Sequence, residues 1–165
     1  MRWRTAATFV GIAGLCGLLG VMGISYLADR AAGESSLVTP ERSPALIARG
    51  EYLARLGDCA ACHSVPGRPP FTGGLRMAIP IGAIYTTNIT PDPVNGIGRF
   101  GLADFDRALR FGVVDGHSLY PAMPFPSYAN TKPEDVAALY AYFKYGVAAA
   151  ATPNITNDIV TITWL

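Results

Sequence analysis

Hydrophobic positions along the chain fall into four blocks separated by stretches rich in Gly and Pro. The first block is continuous: from Thr5 to Ala28 there is no charged residue, with Arg2 and Arg4 before it and Asp29 and Arg30 after it. Such a run is long enough to cross about 30 Å of hydrocarbon as a helix. The second block is periodic. Ser43 as N-cap and Pro44 at the first helical position open a helix whose apolar positions are Leu46, Ile47, Tyr52, Leu53 and Leu56, with Gly57 as its stop. The third predicts a short amphipathic helix over Asp104 to Phe111, with Phe105, Ala108, Leu109 and Phe111 apolar and Gly112 closing it. Its mixed Asp and Arg residues read as a solvated face. The fourth predicts a last helix from Thr131, with Pro133 in the first turn and Glu134 completing a capping box. There Val136, Leu139, Tyr140, Tyr142 and Phe143 are apolar, and Gly146 ends it. Gly50 on the first helix permits a close approach of Leu139 or Tyr142 on the last.

Between Ser64 and Arg99 no helical period is visible. A structureless stretch of that length in a compact domain implies that it wraps something. The chain thus divides into residues 1–30, a membrane anchor or signal peptide; 31–42, a Ser-, Gly- and charge-rich linker; 43–147, a helical domain; and 148–165, a tail. In the tail Ile155, Ile159, Val160, Ile162 and Trp164 suit a strand, a docking segment or an unrelated end.

Composition changes this picture in two ways. Half of the 165 residues are apolar and the formal net charge is only +1, which leaves no nucleic-acid footprint and little long-range steering. A domain of about a hundred residues so rich in Gly and Pro has a thin core. It would gain from an apolar centre supplied by a cofactor.

That cofactor is indicated by Cys59-Ala-Ala-Cys62-His63. Two cysteines three apart can add their thiols to the vinyl groups of a haem while the following imidazole ligates the iron. A thioredoxin-like redox pair needs a strand ahead of the motif and a βαβ setting. A structural zinc needs four ligands, and besides the pentad only His117 and Cys16 are available. The pentad therefore predicts one covalent haem c and its iron, held through Cys59, Cys62 and His63.

Tyr120-Pro121-Ala122-Met123-Pro124 offers the opposite ligand, because a methionine between prolines sits on a stiffened segment. Met123 is the expected sixth ligand. Met77 lacks such flanks, and His117, in Asp115-Gly116-His117, reads as a turn residue. Tyr85, Thr86, Thr87 and Asn88 suit hydrogen bonds to buried propionates or to backbone. With iron held on both sides no vacant position remains for substrate, so the expected chemistry is one-electron transfer and not catalysis. A haem-based sensor or low-activity peroxidase would need an exchangeable distal ligand, and an assembly subunit would hold its haem as structure only.

Haem attachment and the N-terminal block agree, since either a retained anchor or a cleaved signal exports the domain. Ala28 as a cleavage position has Tyr26 two residues before it, a poor match to small-x-small, and Cys16 follows Leu15, a poor lipoprotein site. A retained anchor with Arg2 and Arg4 on the cytoplasmic side places the haem domain on the periplasmic face of the inner membrane. With Cys59 and Cys62 in thioether bonds and Cys16 in lipid, no disulfide forms within one chain.

The order helix, pentad, long loop, short helix, Pro-flanked Met and final helix resembles a class I cytochrome c domain over about Ser43 to Val147. Arg49-Gly50-Glu51-Tyr52-Leu53, Ile84-Tyr85-Thr86-Thr87-Asn88-Ile89-Thr90-Pro91-Asp92, Gly96-Ile97-Gly98, Asp104-Phe105, Leu119-Tyr120-Pro121-Ala122-Met123-Pro124-Phe125 and Leu139-Tyr140-Ala141-Tyr142-Phe143-Lys144 carry the likeness. They are similar to one haem domain of the cytochrome c subunits of membrane-bound quinoprotein alcohol and aldehyde dehydrogenases. The resemblance implies an all-α cytochrome c fold around one haem, with Cys59 and Cys62 as thioether sites, His63 proximal and Met123 distal. It also implies the large subunit of a membrane-bound dehydrogenase as electron donor, and quinone or another cytochrome or oxidase as acceptor. Those subunits usually hold three such domains, whereas this sequence has one pentad followed by residues 148–165.

Overall fold

The computed structural model describes residues 42–159. The expected anchor or signal, Cys16, most of the linker, and Val160, Ile162 and Trp164 lie outside the described residues. Among the described residues no helix is long and apolar enough to cross a membrane.

Helix α1, Pro44–Leu56, starts where the sequence places it: the Ser43 side chain accepts a hydrogen bond from the Leu46 N–H at 3.2 Å, and Pro44 takes the first position. Its buried stripe differs from the large-residue pattern. Gly50 and Ala54 are the buried positions, while Tyr52 and Leu56 stay exposed. Small residues form the seam because α1 crosses helix α5, Pro133–Ala141, in near backbone contact. At the end of α1 the left-handed turn is made by Asp58 (φ 53°) and not by Gly57 (φ −80°). It redirects the chain into α2, Cys59–His63.

The long stretch after the pentad contains a hairpin that helical periodicity does not reveal. Strand β1, Arg76–Ile79, pairs antiparallel with β2, Gly82–Tyr85, in the register Arg76 to Tyr85. From the tail, β5, Asp158–Ile159, pairs antiparallel with the other edge of β2. The domain is therefore mainly helical with short strands in its connections, rather than strictly all-α. Within the described part of the tail, residues 148–159 dock on the loop and end in a strand.

Helix α3, Leu102–Asp106, begins two residues earlier than the apolar period suggests. The Asp104 carboxylate accepts from the Gly101 N–H at 2.8 Å and caps it. The helix continues as a π-helical turn over Arg107–Phe111, which ends at Gly112 (φ 64°). Its charged residues are not all solvated. Asp106 is only 1% exposed and is paired through both oxygens with Arg110.

Strands β3, Val113–Val114, and β4, His117–Ser118, form a hairpin turned by Asp115 (φ 50°) and Gly116 (φ 77°). Positive φ at both central residues matches the right-handed twist of the strands. A short helix α4, Phe125–Tyr128, precedes α5. Thr131 does not cap α5: the helix starts at Pro133 after Lys132, without a side-chain cap. Thr131 instead donates its N–H to the Tyr128 carbonyl and is the end of the preceding turn. Helix α5 continues as a π-helical turn, Tyr142–Gly146.

The core lies where α1, α3 and α5 meet, built from Ala54, Leu102, Phe105, Leu109, Val136, Leu139, Tyr140 and Phe143. Edge-on aromatic contacts organise it, with Phe71 from the long loop 5.3 Å from Phe143 and 6.1 Å from Tyr142 between ring centroids.

Candidate functional site

The pentad occupies one short helix, so its side chains are fixed relative to each other by a turn and a half of backbone. Cys59 and Cys62 are both free thiols and half-buried. Burial pushes the Cys59 thiol up to about 11, so it stays protonated at neutral pH. The element ahead of the pentad is the helix α1, not the strand a thioredoxin-like pair requires. Among the described residues no three His, Cys, Asp or Glu side chains converge, so the ligand set of a structural zinc is not assembled there.

His63 is held by the loop. Gly73 donates its N–H to the His63 carbonyl at 2.8 Å, and Gly74 N–H bonds the Thr86 carbonyl at 2.8 Å. Gly73 (φ 67°) passes so close to the facing segment that a β-carbon would lie 2.3 Å from the Thr86 oxygen. This apposition brings the Thr87 carbonyl to 2.7 Å from His63 Nδ1. A carbonyl can only accept, so Nδ1 carries the proton and Nε2 keeps its lone pair for a metal. Burial lowers the His63 pKa, partly opposed by the Thr87 bond.

Of the loop polar residues, Thr86 and Asn88 use their side chains to bond backbone. Thr86 Oγ1 accepts from Leu75 N–H at 2.9 Å, and Thr87 contributes its main-chain oxygen to His63. Asn88, 2% exposed, donates from its side chain to the carbonyls of Ala150 (2.9 Å) and Thr152 (3.0 Å) and accepts from Thr90 N–H (2.8 Å).

Met123 is half-buried and packs against the same core cluster as Cys59. Its segment is tied from both sides. Leu119 N–H bonds the Gly112 carbonyl at 2.6 Å, and the Phe125 ring covers Gly112. Tyr128, four residues beyond Pro124, donates its hydroxyl to the Gly57 carbonyl at 2.9 Å, beside the pentad. His117 is exposed as expected, but it is the first residue of strand β4, paired with Val114, and the turn itself is Asp115-Gly116. Met77 lies on β1 opposite Ile84.

Next to Cys59 the structure has a cavity of about 300 Å³, lined largely by apolar side chains including Leu53, Phe105, Leu109, Tyr128, Leu139 and Phe143. The cavity touches Cys59 but is not lined by Cys62, His63 or Met123; its apolar walls and an imidazole whose Nδ1 is already engaged suit a haem held through these residues. Asp106, Arg110 and the tail carbonyls are not among the residues the sequence singles out for roles here, whereas Asn88 is one of the loop residues it marks for hydrogen bonds to propionates or backbone.

No protein-family model matches the chain. It is 57% identical over 126 residues to the gluconate 2-dehydrogenase cytochrome c subunit of Pantoea cypripedii, covering 76% of this chain and 29% of that protein. Over 129 residues it is 51% identical to the alcohol dehydrogenase (quinone) cytochrome c subunit of Gluconacetobacter polyoxogenes, covering 78% and 28%. Over 110 residues it is 46% identical to the fructose dehydrogenase cytochrome subunit of Gluconobacter japonicus, covering 66% and 23%. The chain thus spans less than a third of the length of these relatives.

Proposed function

We propose, from the premise that this chain belongs with the cytochrome c domains found in the cytochrome subunits of quinoprotein dehydrogenases, that residues 43–147 bind one haem c and pass single electrons. Haem c supplies a one-electron iron couple. Cys59 and Cys62 would hold it through two thioether sulfurs, and His63 Nε2 and the Met123 sulfur would ligate its iron. Leu53, Phe105, Leu109, Leu139 and Phe143 line the cavity beside Cys59 and would give the haem apolar surroundings on that side, which limits solvent reorganisation when the charge changes. As a ligand, the neutral Met123 thioether would favour the reduced metal and raise the potential relative to bis-histidine ligation.

The observation that carries this reading is the 2.7 Å contact between His63 Nδ1 and the Thr87 carbonyl, which orients the ring as a ligand through Nε2. The half-buried, proline-flanked Met123 supports a closed distal side, and with it an electron carrier over a sensor or peroxidase. The electron donor is the large subunit of a membrane-bound dehydrogenase. The acceptor is quinone or a further cytochrome or oxidase. Residues 1–30 retain the domain at the inner membrane on the periplasmic side, and the near-balanced charge of residues 43–147 makes tethering to a fixed partner more effective than long-range steering.

Exported protein produced with a c-type haem maturation system tests the attachment. Its mass should exceed that of the polypeptide by one haem, and haem staining should survive denaturation. Cys59→Ala with Cys62→Ala should abolish both signals. Staining retained in the double variant would overturn the assignment.

A further inference from the structure

The peptide group between Thr87 and Asn88 is hydrogen-bonded at both ends. Its carbonyl oxygen lies 2.7 Å from His63 Nδ1. Its N–H, which belongs to Asn88, donates to Asn154 Oδ1 at 2.7 Å. Asn154 is in turn fixed by its own amide, which donates to the Asn95 carbonyl at 2.8 Å. An amide that donates at nitrogen accepts more strongly at oxygen, because the two bonds polarise the same conjugated group. The four groups therefore form a chain in one sense: Asn95 C=O, Asn154 side-chain amide, the Thr87–Asn88 peptide, His63 imidazole.

We propose that Asn154, in the tail segment beyond the haem domain, is a positioning residue that sets the electron-donating power of His63 by polarising the Thr87 carbonyl. This rests on the reading of His63 as the proximal ligand. A stronger acceptor at Nδ1–H shifts the imidazole toward imidazolate character, and a more basic ligand favours the oxidised metal. Asn154 thereby holds the potential down, opposing the upward pull of Met123. The tail segment, which docks on the loop through Asn88, Asn154 and Asn157, then has a redox role as well as a structural one.

A second tail anchor separates the two roles. Asn157 Oδ1 accepts from the Tyr85 N–H at 2.9 Å, on a peptide group that does not face His63. Asn157→Ala removes a comparable tie between tail and loop without touching the Thr87–Asn88 peptide.

The test uses the full-length holoprotein, with midpoint potential and the proton shift of the His63 Nδ1–H in the reduced state as readouts. Asn154→Ala should raise the potential and move that proton upfield, while Asn157→Ala leaves both at the wild-type values. No change in Asn154→Ala, or equal changes in both variants, would overturn the proposal. Failure of the underlying reading looks different: wild-type protein would then lack covalent haem, or its spectrum would show no histidine ligand before any tail variant is made.

Discussion

Gly50 on α1 meets Ala138 on α5 so closely that a β-carbon at position 50 would lie 1.9 Å from the Ala138 carbonyl oxygen and 2.7 Å from Tyr142 Cβ. The nearest obstacles are backbone and a Cβ, neither of which can swing aside. In an exposed helix, replacing Gly by Ala stabilises by about 1 kcal/mol. Here overpacking of about 1–3 kcal/mol opposes that gain, and a contact this short places the net effect on the destabilising side. Gly50→Ala should lower the denaturation midpoint with an unchanged slope. Stability equal to or above wild type would mean that the two helices are farther apart than described.

The Asp106–Arg110 pair lies on the inner side of α3, with the Asp106 side chain 1% exposed and that of Arg110 17%. Arg110 Nη2 donates to Asp106 Oδ2 at 2.7 Å. Removing the cation leaves a carboxylate buried without a partner, at a cost of about 3–5 kcal/mol. Arg110→Met should show a loss of that size. Arg110→Met combined with Asp106→Leu should recover most of it, because no charge is then left buried. The exposed Arg55–Glu51 pair one turn apart on α1 is the control, and its loss should be close to neutral, because solvent screens an exposed pair.

These two sites show what was and was not legible in the sequence. The helix starting at Ser43-Pro44, the closing helix and the haem pentad are local signals, set by neighbours within a turn or two of chain. Gly50 was readable as a point of close approach because a Gly inside a helix lacks a local reason. Asp106 was not, since a Glu or Asp beside Arg at helical spacing has the same appearance whether it faces solvent or core. The roles of Asn88 and Asn154 depend on pairings about sixty residues apart in the chain, for which neither periodicity nor composition gives a sign. Thr131 misled for the complementary reason. A capping pattern was present, but the turn closing on Tyr128 had already claimed its backbone.

Asp92 closes a turn in the long loop. Its Oδ1 accepts from the N–H groups of Val94 (3.1 Å) and Asn95 (2.6 Å) and from the Asn95 side chain (3.2 Å). These bonds, that of the Asn95 N–H foremost, hold its pKa below the ordinary carboxylate value against an opposing effect of burial. A depressed folded pKa contributes stability that is present above the unfolded value of about 4 and disappears as pH falls through the lower folded value. Wild type should therefore exceed Asp92→Asn in stability near neutral pH, with the gap closing as the solution is acidified below about pH 4. Denaturation midpoints measured from neutral pH downward would show it. A gap that does not depend on pH would mean that the carboxylate charge plays no part in the turn.

Met123 carries the assignment of the distal side, and its substitution separates attachment from ligation. Its segment is positioned by Gly112, Phe125 and Tyr128 through contacts that do not use the thioether, so Met123→Ala should leave those ties in place. Cys59, Cys62 and His63 lie on a different element, so covalent haem should be retained. Loss of a neutral sulfur ligand should lower the midpoint potential and let the reduced protein bind carbon monoxide, visible as a shift of its main absorption band. Met77→Ala and His117→Ala serve as controls, since one residue lies in the β1–β2 ladder and the other on an exposed hairpin. Both should exclude carbon monoxide as wild type does. If Met77→Ala bound the gas and Met123→Ala did not, the distal ligand would have to come from β1, and the proline-flanked segment would be a wall of the cavity instead of a donor to the iron.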